Sequence, residues 1–167
     1  MLTSAVRLAV SAVTLGLAAS LATPAGAELL AHKDLSLDTA VTIATTAAAT
    51  CKERGYRVSV HVVGRGGEVL VALRGDNASP HTFENSMRKA YTARTFQRPS
   101  AETAKQLESG NAVVRQQVTL PNVIAIPGGV PIKVGNDTIG GVGLSGSPGV
   151  DEPCVQAGLD KVKDQLK

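Results

Sequence analysis

Few side chains in this sequence could bind a metal or a metal-bearing cofactor. They are His32, His61, His81, Tyr56, Tyr91, Met87 and the two cysteines, Cys51 and Cys154. Nothing in their spacing forces them together. There is no Cys-x-x-Cys and no close His pair, so a cysteine-based metal site is not expected. His81 stands at the entrance of one helical stretch and Tyr91 near its end, with Arg88, Arg94 and Arg98 around the tyrosine. Planar guanidinium groups suit carboxylates. The stretch therefore reads either as an arginine grip on a carboxylate-bearing cofactor beside one axial donor, or as a solvated helix face. Each lone histidine reads equally as a hydrogen-bonded structural residue.

Other chemistries find less support. A nucleophile elbow needs Gly-x-Ser-x-Gly, and Leu144-Ser145-Gly146-Ser147 lacks the preceding glycine and runs into Pro148. Asp34 and Asp38 could share a helical face, as solvated acids often do, but no spacing forces a carboxylate pair. The protein is not expected to be an enzyme. Glycines crowd the last third, at Gly128, Gly129, Gly140, Gly141, Gly143, Gly146 and Gly149. They imply either tight turns with a helix pressed hard on a sheet, or a surface that a ligand approaches closely. Gly141-x-Gly143-x-x-Gly146 has phosphate-loop spacing, yet it lies within a strand and no basic residue follows closely. Nucleic acid is excluded as a partner. Seventeen Lys and Arg face fourteen Asp and Glu, no basic run exceeds Arg88-Lys89, and aromatics make up only 2% of the chain.

The elements that must position these residues follow from periodicity. Ser36 caps a helix over about 36–54, with Leu37, Ala40, Val41, Ala44, Ala47 and Ala48 at helical spacing and Gly55 as its stop. Tyr56, Val58, Val60 and Val62 alternate with polar residues as a strand, and Gly64–Gly67 turns the chain into a second strand over 68–74. A helix follows from Thr82, and a shorter one runs from Ser100 to about Leu107. Residues 109–122 read as a loop. Strands are expected at 123–126, 130–134 and 138–145, and a last helix over 151–166 carries acids at its start and lysines near its end. The expectation is an α/β (α+β) domain, with one five-stranded antiparallel sheet flanked by helices.

Residues 1–27 read as a secretory signal peptide. Arg7 precedes an apolar run from Leu8 to Leu21, and Pro24-Ala25-Gly26-Ala27 ends in a small-residue cleavage pattern. The run is short for a membrane span. The mature protein would be a single domain over 28–167, secreted or periplasmic. Cys51 and Cys154 in such a protein suggest a disulfide, with two separate buried thiols as the alternative.

Three stretches together resemble the GlcG/HbpS-like haem-binding family, which also occurs as the C-terminal module of PduO-type proteins. They are Val69–Asp76, Arg88-Lys89-Ala90-Tyr91-Thr92-Ala93-Arg94-Thr95-Phe96-x-x-Pro99-Ser100, and Pro127-Gly128-Gly129-Val130-Pro131-Ile132 with Ile139–Gly146. Asp151-Glu152 before the last helix matches as well, and the resemblance covers about residues 35–166. It implies a profilin-like fold, a homo-oligomer, and binding or buffering of extracellular haem. It also implies a hydroxyl ligand within Lys89–Ser100, which points to Thr92, Thr95 or Ser100; the family's usual Pro-Thr here reads Pro99-Ser100. With the residue-level reading, the candidate haem-contacting set is His81, Arg88, Tyr91, Thr92, Arg94, Thr95 and Ser100, the metal ligand itself being left open. The alternatives are an oligomeric protein that docks to an exported or membrane-sensor partner without haem, or a binder of corrinoid or another small molecule.

Overall fold

Leu37–Glu53 wind as helix α1, and Ser36 caps them: its hydroxyl accepts a hydrogen bond from the Thr39 amide at 3.2 Å, satisfying one of the free N–H groups of the first turn. Ala40, Ile43, Ala44, Ala47 and Cys51 recur at intervals of three and four and are buried, so the helix has one apolar stripe to cover. Gly55, at φ +83°, reverses the chain. It enters a hairpin of β1 (Ser59–Val63) and β2 (Val69–Arg74). The computed structural model describes residues 28–167, and His32–Lys167 form one compact unit. The leader assigned to residues 1–27 lies outside the described residues.

Helix α2 spans Pro80–Phe96, α3 Ser100–Glu108 and α4 Ala112–Gln117. Strands β3 (Gly129–Val134) and β4 (Asp137–Ser145) form a second hairpin, and α5 (Asp151–Lys161) closes the fold. The sheet runs β2-β1-β4-β3 with every neighbour antiparallel. Helices α1 and α5 pack together on one face, and α2 covers the other. Between α1, α5 and the sheet lies an aliphatic core that includes Ile43, Val60, Val62, Val71, Val142, Leu144 and Val155. Arg65 in the β1–β2 turn pins the edge by bonding Asp137 at 2.7 Å and Asp34 at 2.9 Å. These bonds, that to Asp137 foremost, raise the arginine's already high pKa, and the same contact holds the Asp137 carboxyl below its ordinary value.

Two expectations are corrected. The sheet has four strands, not five, because residues 123–126 form no ladder. Three of their backbone groups are taken by side chains instead. The Ile124 amide donates to Thr92 Oγ1 at 2.8 Å, the Val123 carbonyl accepts from Arg88 Nη2 at 2.7 Å, and the Ile126 carbonyl accepts from Ser100 Oγ at 2.7 Å. An apolar run with its polar backbone satisfied this way has no need of a neighbouring strand. The loop expected over 109–122 contains α4, whose first amides, Val113 and Val114, donate to the Asn111 side chain.

The cysteine question is also resolved. Cys51 at the end of α1 and Cys154 in α5 form a disulfide with a Cα–Cα distance of 5.6 Å. It spans 103 residues of sequence, a loop for which the chain-entropy model gives roughly 4–5 kcal/mol.

Candidate functional site

Two glycines of β4, Gly141 and Gly143, let α2 approach. A Cβ at Gly143 would strike the backbone of Ser86 and Ala90, and one at Gly141 would strike the Ala90 carbonyl. Of the two readings of these glycines, the helix pressed on a sheet is the one the structure has. The glycine-lined surface lies under α2 and is not free to receive a ligand.

The buried stripe of α2 is correspondingly polar and small: Thr82, Ser86, Lys89, Ala90, Thr92 and Ala93. Each polar member has a partner. Thr82 Oγ1 lies 2.9 Å from Ser59 Oγ. Ser86 Oγ donates to the Phe83 carbonyl, which leaves His61 Nδ1–H to donate to that same oxygen at 2.8 Å. The His61 ring also meets the Phe83 ring edge-on at 4.5 Å between centroids. Burial pushes its pKa down to about 4, so it is neutral at ordinary pH. Lys89 Nζ reaches through to Asp151 Oδ2 at 2.7 Å and to the Leu144 carbonyl at 3.0 Å. Asp151 Oδ1 in turn accepts from the amide and hydroxyl of Ser147. This network stitches α2, β4 and α5 through the sheet's end. The spacing of charges at the start of the last helix suggested only a dipole contact and gave no sign of Lys89 as a partner.

The seven candidate residues are divided among buried, half-buried and exposed positions on α2 and at the start of α3. Thr92 and Ser100 are fully buried, and their hydroxyls are committed to the segment beside β3: Thr92 accepts from Ile124, and Ser100 donates to Ile126 and accepts from the Gly129 amide at 2.8 Å. Arg88 holds the Val123 carbonyl and lies 3.6 Å from Glu84. Arg94 Nε donates to the Arg65 carbonyl at 2.7 Å, and the Tyr91 ring packs on Gly67. His81 and Thr95 are exposed on α2. The arginines and hydroxyls thus serve chiefly to bind the loops on either side of the helix.

The other side of the molecule offers space. A groove of about 550 Å³ opens between the last turns of α1 and the β1–β2 hairpin, within the roughly 300–1,000 Å³ typical of small-molecule sites. It exists because Thr45, Ala48 and Ala49 are too short to reach the edge strand across from them. Its walls are Ala48, Ala49, Tyr56, Val58 and Leu73, and charged residues Lys52, Arg57, Arg74 and Asp76 stand around it. Arg74 bonds the Ala78 carbonyl. Lys52 and Arg57 are exposed and have no ion pair or side-chain hydrogen bond among the described residues. Tyr56, half-buried, was in the inventory of possible ligands, but its place after a helix stop did not mark it as part of a cavity. Among the described residues no cluster of three or more His, Cys, Asp or Glu could hold a metal ion.

Against known proteins, residues 35–160 match the family model described as haem degrading protein HbpS-like. The chain is 30% identical to protein GlcG of Escherichia coli strain K12 over 111 residues, which cover 66% of this chain and 81% of that one. Among solved structures it is similar to a double mutant of HbpS from Streptomyces reticuli, with 32% identity, a TM-score of 0.75, and coverage of 84% of this chain and 97% of that one. It also shares its fold with PduOC, solved as a haem complex, at 24% identity and a TM-score of 0.71 over 77% of this chain and 94% of that one.

Proposed function

The chain belongs to the HbpS-like family, and on that premise we propose that it is a haem-binding protein that buffers or delivers haem outside the cytoplasm. The observation that carries this reading is the family match along 35–160, which spans every element from α1 to α5. The haem complex known for PduOC agrees with it. The chain also has what an apolar, two-carboxylate tetrapyrrole asks for: an aliphatic groove of adequate size, unpaired cations beside it, and oxygen donors on its surface.

Export is supported by the leader-like sequence and by the Cys51–Cys154 bridge, which belongs to an oxidising compartment. Self-association is supported by exposed Leu37 and Val41 on α1 and Val69 on β2, which is an edge strand. The role proposed is binding without turnover.

Titrating the purified protein with hemin tests the reading. A saturable shift of the Soret band at micromolar haem is the expected result, and no shift would refute it. Cobalamin titrated in parallel separates a corrinoid site from a haem site. If the bound haem is bleached on adding a reductant and oxygen while free haem is not, the non-enzymatic part of the reading fails.

A further inference from the structure

We propose that haem lies in the groove between α1 and the β1–β2 hairpin, with the Tyr56 phenol as axial donor and Lys52 and Arg57 on the propionates. This placement rests on the haem-binding reading above. Three observations carry it.

The first is shape and polarity. The groove has aliphatic walls from Ala48, Ala49, Val58 and Leu73, and its volume of about 550 Å³ suits a flat apolar body left open along one edge. The second is charge. Lys52, Arg57 and Arg74 stand against a single carboxylate, Asp76. Since Arg74 is bonded to the Ala78 carbonyl, Lys52 and Arg57 remain as two free cations for two propionates. The third is the donor set. Tyr56 brings a phenol to the groove, and its hydroxyl has no hydrogen-bond partner among the described residues. A tyrosine oxygen is an established type of haem ligand; on ligation its proton passes to solvent.

The α2 face lacks this combination. Thr92 and Ser100 are bonded to the 124–129 segment, His61 is sealed under Phe83, and His81 and Thr95 stand exposed on α2 and do not line the groove.

The test is hemin titration followed by absorption and electron paramagnetic resonance spectra of the wild type, three groove variants and Thr95→Ala, with circular dichroism to confirm folding. Tyr56→Phe is expected to abolish the phenolate-to-iron charge-transfer band and weaken binding about tenfold. The double variant Lys52→Ala/Arg57→Ala changes only exposed side chains, so its fold is retained. It is expected to weaken hemin about tenfold while leaving haem dimethyl ester, which has no free carboxylates, unaffected. Ala48→Trp is expected to fill the groove and block both ligands. If the wild type binds hemin and all three groove variants match it, the placement is overturned and the haem-binding reading stands. A spectrum changed by Thr95→Ala and untouched by Tyr56→Phe would likewise overturn it, in favour of α2. If the wild type gives no saturable shift, both fall.

Discussion

The two faces of the sheet are held by different physics. On the α1–α5 face, interlocked aliphatic side chains make up the core. On the α2 face, glycines bring backbone against backbone, and hydroxyls, a histidine and a lysine bond across the narrow gap. The difference shows why residue type is a poor guide to chemistry here. The face richest in polar side chains uses them for cohesion. The apolar face, where alanines leave α1 thin, is the one with room and unpaired charge at its margin.

Substitutions can break or sharpen this contrast. The largest effect is expected for Gly143→Val, whose side chain has only the backbone of Ser86 and Ala90 to move against. A loss of more than about 5 kcal/mol is expected, enough to exhaust a marginally stable domain. Soluble yield and circular dichroism would check it; a wild-type melt would show that α2 can shift. Next is Lys89→Met, which leaves the Asp151 carboxylate buried without its cation. Roughly 3–5 kcal/mol is expected, read from denaturant midpoints, and a change below 1 kcal/mol would mean that water reaches the pair.

A smaller loss is expected from pH alone. His61 titrates near 4 in the folded protein and at its ordinary 6.5 when unfolded. Above pH 6.5 both states hold it neutral and no pH dependence arises. As pH falls from 6.5 toward 4, the unfolded state takes up the proton first, so stability declines by up to about 3 kcal/mol and then levels off. Melting temperatures across that window for wild type and His61→Asn measure it; equal slopes would remove His61 as the cause. The smallest contrast is between two threonines on one helix. Thr92→Val leaves the Ile124 amide unpaired and is expected to cost about 1–2 kcal/mol. The exposed Thr95→Ala should stay within about 0.5 kcal/mol.

Much of the fold was legible. Period-two alternation around Val58, Val60 and Val62 marked β1, Ser36 and Gly55 bracketed α1, and the family's blocks were recognisable in the glycine strand. Four things were not. Val123–Ile126 looks like a strand because apolar sequence does not say whether a neighbouring backbone or a neighbouring side chain will satisfy its amides. Asn111, a fair N-cap after Gly110, could have revealed α4. Lys89 falls on the same stripe as Ser86 and Ala93, a hint of burial easily mistaken for a mixed face. The α1 groove arises from side chains too small to fill a gap, and a gap leaves no mark in a one-dimensional pattern.

The bridge between Cys51 and Cys154 has one more consequence, concerning survival among proteases. The turn over Thr119, Leu120, Pro121 and Asn122 is exposed and falls between the two joined half-cystines. A cut there severs the chain without releasing either piece: the fragments would migrate as one band until a reductant parted them. Nicking would then be an injury the fold carries, with the halves kept in register by one covalent rivet.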